Sequence, residues 1–261
     1  MSSVSLPLFR ALGVESRKYR RTMALWLAIL APALIVLLNF CIFYFRGEHI
    51  VDVAAGDFAW RKYGMMNIQP SINLLFPLYI VLLAVWFFQI EHQSQTWKHL
   101  WVLPVRRSTQ FLAKVLLFLG FVAGSLLIFL LLIYASGWVL MQVRPELGFD
   151  NTVGVLMIAK AVLYMLCASV GIIALQFWFS MRWKSLMAPL SIGMAGIISA
   201  ILLSSWEHIA WHPYSTLVMS IVRMANADAP MDVNPLVYSG VLAIGVFFLA
   251  FWEGSRRALR G

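Results

Sequence analysis

Charge is the first thing this sequence lacks. Only 12% of its 261 residues are Asp, Glu, Lys or Arg, against about a quarter in an ordinary soluble domain. With 62% of the chain hydrophobic, too little polar side chain remains to clothe a water-soluble globule, so lipid must solvate much of the surface. Cysteine is scarce as well. Cys41 and Cys167 both fall inside long apolar runs, which indicates neither a disulfide framework nor a four-ligand zinc site. No G-x-x-x-x-G-K-[ST] phosphate loop occurs anywhere, so the chain does not bind and hydrolyse ATP by that route. The long apolar runs contain no Asp, Glu, Lys, Arg or His. Proton relays need intramembrane carboxylates and haem-b proteins need intramembrane histidines. Both readings therefore count as poor, and so does a membrane-embedded enzyme.

What is present is apolar length. A helix rising 1.5 Å per residue needs about 20 apolar residues to cross roughly 30 Å of hydrocarbon. Six runs approach or exceed that: 24–45, 72–90, 115–143, 161–181, 185–206 and 233–252. Backbone groups in lipid must be satisfied internally, which leaves helices or barrel strands. Runs such as Leu126 to Tyr134, LLIFLLLIY, do not alternate as barrel strands would. The expected fold is all-α: one transmembrane domain over 1–261 with six spanning helices. The third run is longer than a perpendicular crossing needs, so it tilts or continues past the bilayer on the outer side. Pro32, Pro77 and Pro189 lie within or near the starts of their runs and are either kinks or tolerated helix-start prolines. The first run is too long for the 7–15-residue core of a cleaved signal peptide and no small-x-small site follows it, so it is expected to stay as a span.

The net charge of +9 is distributed by topology. Segments 1–23, 91–114, 182–184 and 253–261 share one side and hold fourteen basic residues against three acidic ones. The other side holds six basic against eight acidic. This positive-inside bias puts both termini on the cytoplasmic side of an inner membrane. It also accounts for the basic excess without nucleic acid. Residues 4–21 carry Leu8, Phe9, Leu12 and Tyr19 on one helical face among basic residues, which reads as an interfacial amphipathic helix or as a disordered basic leader. Two outer segments remain, 46–71 and 207–234. The apolar piece LVMSIVRM in the second is too short to span, and either re-enters the outer leaflet or lies flat on it.

Few polar groups stand out. Asn39, Gln89, Gln142 and Gln176 lie towards run ends, where hydrogen bonds to neighbouring helices are expected. His208 and His212 have the i, i+4 spacing that holds a metal when a third ligand converges; the commoner role is interfacial, and no metal is expected. Gly120-x-x-x-Gly124 and the series Ser191, Ala195, Ser199 offer small-residue faces for close helix packing, between protomers or within one.

The loop between the second and third runs is the most informative segment: EHQSQTWKHLWVLPVRRSTQFLAK, from Glu91 to Lys114. An acid marks the membrane exit, and a helix-compatible stretch puts Trp97, Leu100 and Trp101 on one side. Leu103-Pro104 breaks it, because the residue before proline is pushed out of the α region. Arg106 and Arg107 precede the next helix. Such a segment is either a docking element for a cytosolic partner or a hairpin on the lipid surface with its arginines on anionic headgroups.

The order of an acid, a Trp/Thr-bearing helix, Leu-x-x-Leu-Pro-x-Arg-Arg and a following Lys resembles the cytoplasmic coupling segment of ABC-2 type exporter permeases. Within that group the chain is most similar to the small permeases of lantibiotic-immunity and bacitracin-resistance transporters. The resemblance covers the interfacial N-terminus, the six spans, the coupling loop after the second and the longer outer segment before the sixth. It implies that Glu91 opens the coupling segment, that Trp97 and Leu100 lie on its docking face, and that Pro104, Arg106, Arg107 and Lys114 close it. It also implies a separate ATP-binding-cassette subunit carrying ATP and Mg, a second permease as homo- or heterodimer, and an amphipathic or hydrophobic cargo. A membrane scaffold recruiting a cytosolic protein through 91–114 is the alternative.

Overall fold

In the computed structural model, residues 12, 13, 15–19, 22–51, 58–94, 107–149, 153–226 and 231–257 are described. They form eight α-helices joined by turns, with no strand among them. Helix α1 (Met23–Ile50) runs from the proximal end of the bundle, where Ser94 and Arg107 lie, to the distal end. Helix α2 (Ala59–Pro70), a π-helical turn (Ser71–Leu75) and α3 (Phe76–Ser94) follow without a break. Then come α4 (Arg107–Val143), α5 (Val153–Arg182), α6 (Met187–Leu202), α7 (Thr216–Ala225) and α8 (Pro235–Arg257).

Five stretches are long and apolar enough to cross a membrane: Met23–Ile50, Ala59–Ile90, Ser108–Val143, Gly154–Arg182 and Pro235–Arg256. The expected crossing 185–206 contains only the 16 residues of α6, about 24 Å of helix at 1.5 Å per residue. Its apolar composition runs on past the helix, because the chain turns at 203–205 and then folds back into the bundle. The outer segment 46–71 also departs from expectation. It is not a loop throughout, since α1 extends to Ile50 and α2 begins at Ala59. Helix α4 covers the whole of the third apolar run, ending with it at Val143, and extends it proximally by starting at Arg107.

The π-turn has a local cause. Pro70 and Pro77 bracket it, and proline withdraws the N–H that would bond the carbonyl four residues back. For Pro70 that carbonyl is Met66, and it is recaptured from another helix by Asn39 Nδ2 at 3.3 Å. The same amide donates to Asn67 Oδ1 at 3.2 Å, and Asn67 donates to the Tyr63 carbonyl at 2.9 Å. Tyr63 OH lies 2.7 Å from Ser136 Oγ on α4. Asn39, given above a hydrogen-bonding role between helices, performs it here. Pro189 sits in the first turn of α6, where a missing donor is harmless.

Helix α5 is the axis of the bundle, packed along α8 and against α3, α2 and α7. Phe87, Phe88, Phe118 and Phe177 are fully buried around it. Helix α1 lies at the rim against α4 and exposes Trp26, Leu30, Leu34, Leu37 and Phe45. An apolar surface of that extent needs lipid or another protein against it.

Candidate functional site

Three helical pieces frame the proximal end. Helix α3 carries Glu91 as a helical residue and continues through Ser94; α4 opens on Arg107. Between them Trp97, Leu100, Pro104 and Arg106 lie outside the described residues. The third piece is N-terminal. Residues 15–19 are helical, and Tyr19, expected at a lipid interface, is instead 1% exposed against protein. Its ring stacks on Phe87 with centroids 4.2 Å apart and planes 8° from parallel. Its hydroxyl donates to the Phe87 carbonyl at 3.2 Å, and Phe121 meets it edge-on. Glu15, one turn earlier, is also buried; Lys18 Nζ donates to its Oε1 at 2.9 Å, and its Oε2 has no donor. Lys114, two turns into α4, is buried as well. The N-terminal segment is thereby fastened one helical turn before Glu91. Nothing in composition marked Tyr19 as an anchor, because a tyrosine on a basic amphipathic face suits lipid equally well.

The small-residue faces divide. A Cβ built on Gly120 or Gly124 meets nothing within 4 Å, so this face is open within the chain. Ser191 and Ala195 are exposed, whereas Ser199 is used internally: its hydroxyl donates to the Gly196 carbonyl at 3.0 Å. On α6 itself, close approach is admitted at Gly193 and Gly196. A Cβ on Gly193 would stand 2.5 Å from Gln176 Nε2 and 2.6 Å from Val81 Cγ2, and one on Gly196 2.4 Å from the Tyr214 ring.

Tyr214 belongs to a hairpin that folds back into the bundle. After the exposed turn at 203–208, 3₁₀ turns Ile209–Trp211 and Pro213–Ser215 lead inward to α7. Thr216 Oγ1 donates to the Ala168 carbonyl at 3.0 Å, halfway along α5. Ser239 on α8 donates to the same carbonyl at 2.7 Å. LVMSIVRM forms most of α7 and packs into the bundle, with Leu217, Ser220 and Ile221 buried. At the tip, Gln176 Nε2 donates to Tyr214 OH at 2.5 Å. Gln176 Oε1 is buried without a donor.

The two outer histidines do not converge, because the residues between them form a 3₁₀ turn rather than an α-helix. His208 Nδ1 sits 2.6 Å from Asp232 Oδ2. His212 Nδ1 accepts from the Tyr214 N–H at 3.2 Å, which places the ring proton on Nε2, 3.0 Å from Ser199 Oγ. Burial pushes the His212 pKa down from its ordinary 6.5. Among the described residues no three His, Cys, Asp or Glu side chains gather as a metal site.

The described chain is thus a multi-pass helical membrane protein, with a polar segment framed at one end and a hairpin packed into the bundle from the other. A family model described as ABC-2 family transporter protein matches residues 11–200. The chain belongs to the ABC-2 transporter family, as a membrane component of an ABC transporter that is not itself catalytic. Family membership implies association with an ABC ATPase. No curated protein and no solved structure matches the chain.

Proposed function

We propose that this chain is the permease subunit of an ATP-driven exporter, working as a homo- or heterodimer with ATPase subunits docked at 91–114. The observation that carries this reading is the extent of the family match, which takes in the N-terminal anchor, the framed segment and the helices through α6. ATP and Mg belong to the partner, in keeping with the lack of a phosphate loop here. Glu91 sets the segment's exit, Trp97 and Leu100 are its apolar anchors, and Pro104, Arg106, Arg107 and Lys114 fix its return to the membrane. The tie between Tyr19 and Phe87 would hold the N-terminal segment in the path of any movement passed up α3.

The chain crosses the bacterial inner membrane six times, α6 being the fifth crossing, completed on the outer side by the hairpin that folds beside it. Both termini are then cytoplasmic, which the charge bias supports. The cargo is amphipathic or hydrophobic, a peptide antibiotic, lipid or drug, as suits a bundle whose apolar runs hold no Asp, Glu, Lys, Arg or His. Gly120 and Gly124, open within the chain, offer a face for the second permease. The narrower likeness to lantibiotic-immunity and bacitracin-resistance permeases rests on the loop motif. Co-expression with the ATPase encoded beside it tests this reading. A complex with at least two permease chains, hydrolysing ATP only when the ATPase is present, is expected. A functional monomer with no nucleotide-binding partner would overturn it.

A further inference from the structure

The proximal ends of α5 and α8 carry a cluster that the transport reading does not use. Trp178 Nε1 donates to Glu253 Oε2 at 2.8 Å, joining the two helices. Arg182, one turn beyond Trp178, brings its Nε to 3.6 Å from the other oxygen, Oε1. The Arg182 guanidinium also stands 5.7 Å from the ring centroids of both Trp178 and Trp183. On α8 the Arg256 guanidinium lies 3.8 Å over the Trp252 ring. Lys184 follows in the turn to α6 and is exposed, as are Arg256 and Trp252.

Two of these cations are left over. Glu253 is the one carboxylate among these residues, and both of its oxygens are already approached. Lys184 and Arg256 have no ion-pair partner among the described residues. Arginines packed on aromatic faces are held in place before any ligand arrives, so less side-chain entropy is lost when one binds. Exposed tryptophan beside them is the side chain suited to the level of lipid headgroups.

We propose that Arg182, Lys184 and Arg256 form a seat for the phosphate of an anionic phospholipid in the leaflet facing the proximal end, with Trp183 and Trp252 against its glycerol and upper acyl region. Unbalanced positive charge between the ends of two spanning helices matches a phosphodiester in charge and depth. A free phosphate would meet the same cations without the tryptophans, so the headgroup is the occupant that uses the whole cluster.

The test is titration of phosphatidylglycerol, and separately phosphatidylcholine, onto the purified chain in detergent, with bound lipids counted by native mass spectrometry. Phosphatidylglycerol should bind at one preferred site, and phosphatidylcholine should not. Lys184→Gln with Arg256→Gln should weaken that site roughly thirtyfold, at about fivefold per basic side chain near an anionic headgroup. Arg46→Gln with Arg61→Gln removes the same charge from exposed distal positions and should leave binding intact. Trp252→Ala keeps every charge and removes only the ring under Arg256; a smaller, few-fold loss is expected, and gel filtration reports whether each variant is folded. Unchanged binding in the Lys184/Arg256 variant, equal loss in the distal one, or equal binding of phosphatidylcholine would each overturn the proposal. So would displacement of the lipid by millimolar inorganic phosphate. No ATPase takes part, so failure here leaves the permease reading standing.

Discussion

Replacing Gly193 by alanine adds one methyl group at the point where α6, α5, α3 and the hairpin tip meet. The new carbon would stand 2.5 Å from Gln176 Nε2 and 2.6 and 2.7 Å from the two Val81 methyls. Valine has no spare rotamer to yield with on a helix, so the amide must give way. It is the donor to Tyr214 OH. Overpacking of this kind costs about 1–3 kcal/mol, and the lost hydrogen bond adds about 1 kcal/mol. Exchange of glycine for alanine in a helix returns about 1 kcal/mol. The net expectation is a loss of about 1–3 kcal/mol. Gly245→Ala on α8 is the matched control, because its added carbon meets nothing within 4 Å; it should be neutral or stabilising by up to about 1 kcal/mol. Reversible unfolding of both variants in mixed micelles, titrated with dodecyl sulfate, measures the difference. Equal stability of the two would refute the reasoning and remove the hairpin tip from its assigned place.

Tyr19→Phe keeps the ring stack and loses one hydrogen bond, for about 0.5–1.5 kcal/mol, while Tyr19→Ala empties a buried aromatic site at about 3 kcal/mol or more. Limited proteolysis of the N-terminal segment should follow that order, and equal protection in all three proteins would contradict the docking of Tyr19. His212 is neutral when folded and its pKa is depressed by burial, so the stability it contributes is present above its ordinary pKa of about 6.5 and is lost as pH falls through the lower folded value. Thermal scans of wild type and His212→Gln should therefore diverge at neutral pH and converge on acidification; parallel profiles would sink the assignment. For topology, Asp57→Cys should react with an impermeant thiol reagent in intact cells, and reaction only after permeabilisation would reverse the orientation argued from charge.

Much of this architecture is written in apolar run length, since lipid tolerates little else over about 20 residues. The parts that are not written there fail for identifiable reasons. Helix α2, AWRKYGMMNIQP, mixes charge with apolar residues and reads as a loop, yet Tyr63, Asn67 and Ile68 are buried against neighbours. The proximal start of α4 carries RSTQ and shows no apolar signal, although such residues lengthen a helix readily outside lipid. Serine and tryptophan at 204–206 extended the apparent fifth run beyond its helix. The hairpin depends on the bond from Thr216 to Ala168, 48 positions apart, which no local pattern reveals. Glycine spacing alone singled out Gly120 and Gly124, which stand open, while glycines outside that motif, Gly193 and Gly196 among them, are closely approached, because contact depends on the facing helix as much as on the motif. Tyr19 and Glu253 were visible as residue types, an aromatic and a lone acid among basic residues, but their partners were not.

The central claim is that residues 91–114 pass force from an ATPase to this bundle. Its most direct measurement compares wild type with Trp97→Ala, Leu100→Ala, each co-expressed with the cognate ATPase. Truncating a buried interface anchor costs about 2 kcal/mol, roughly thirtyfold in affinity. The double variant should reach the membrane at wild-type levels, fail to retain the ATPase in a pull-down, and lose transport. Retention of the ATPase at wild-type affinity would contradict the account and leave the segment as a hairpin on the lipid surface.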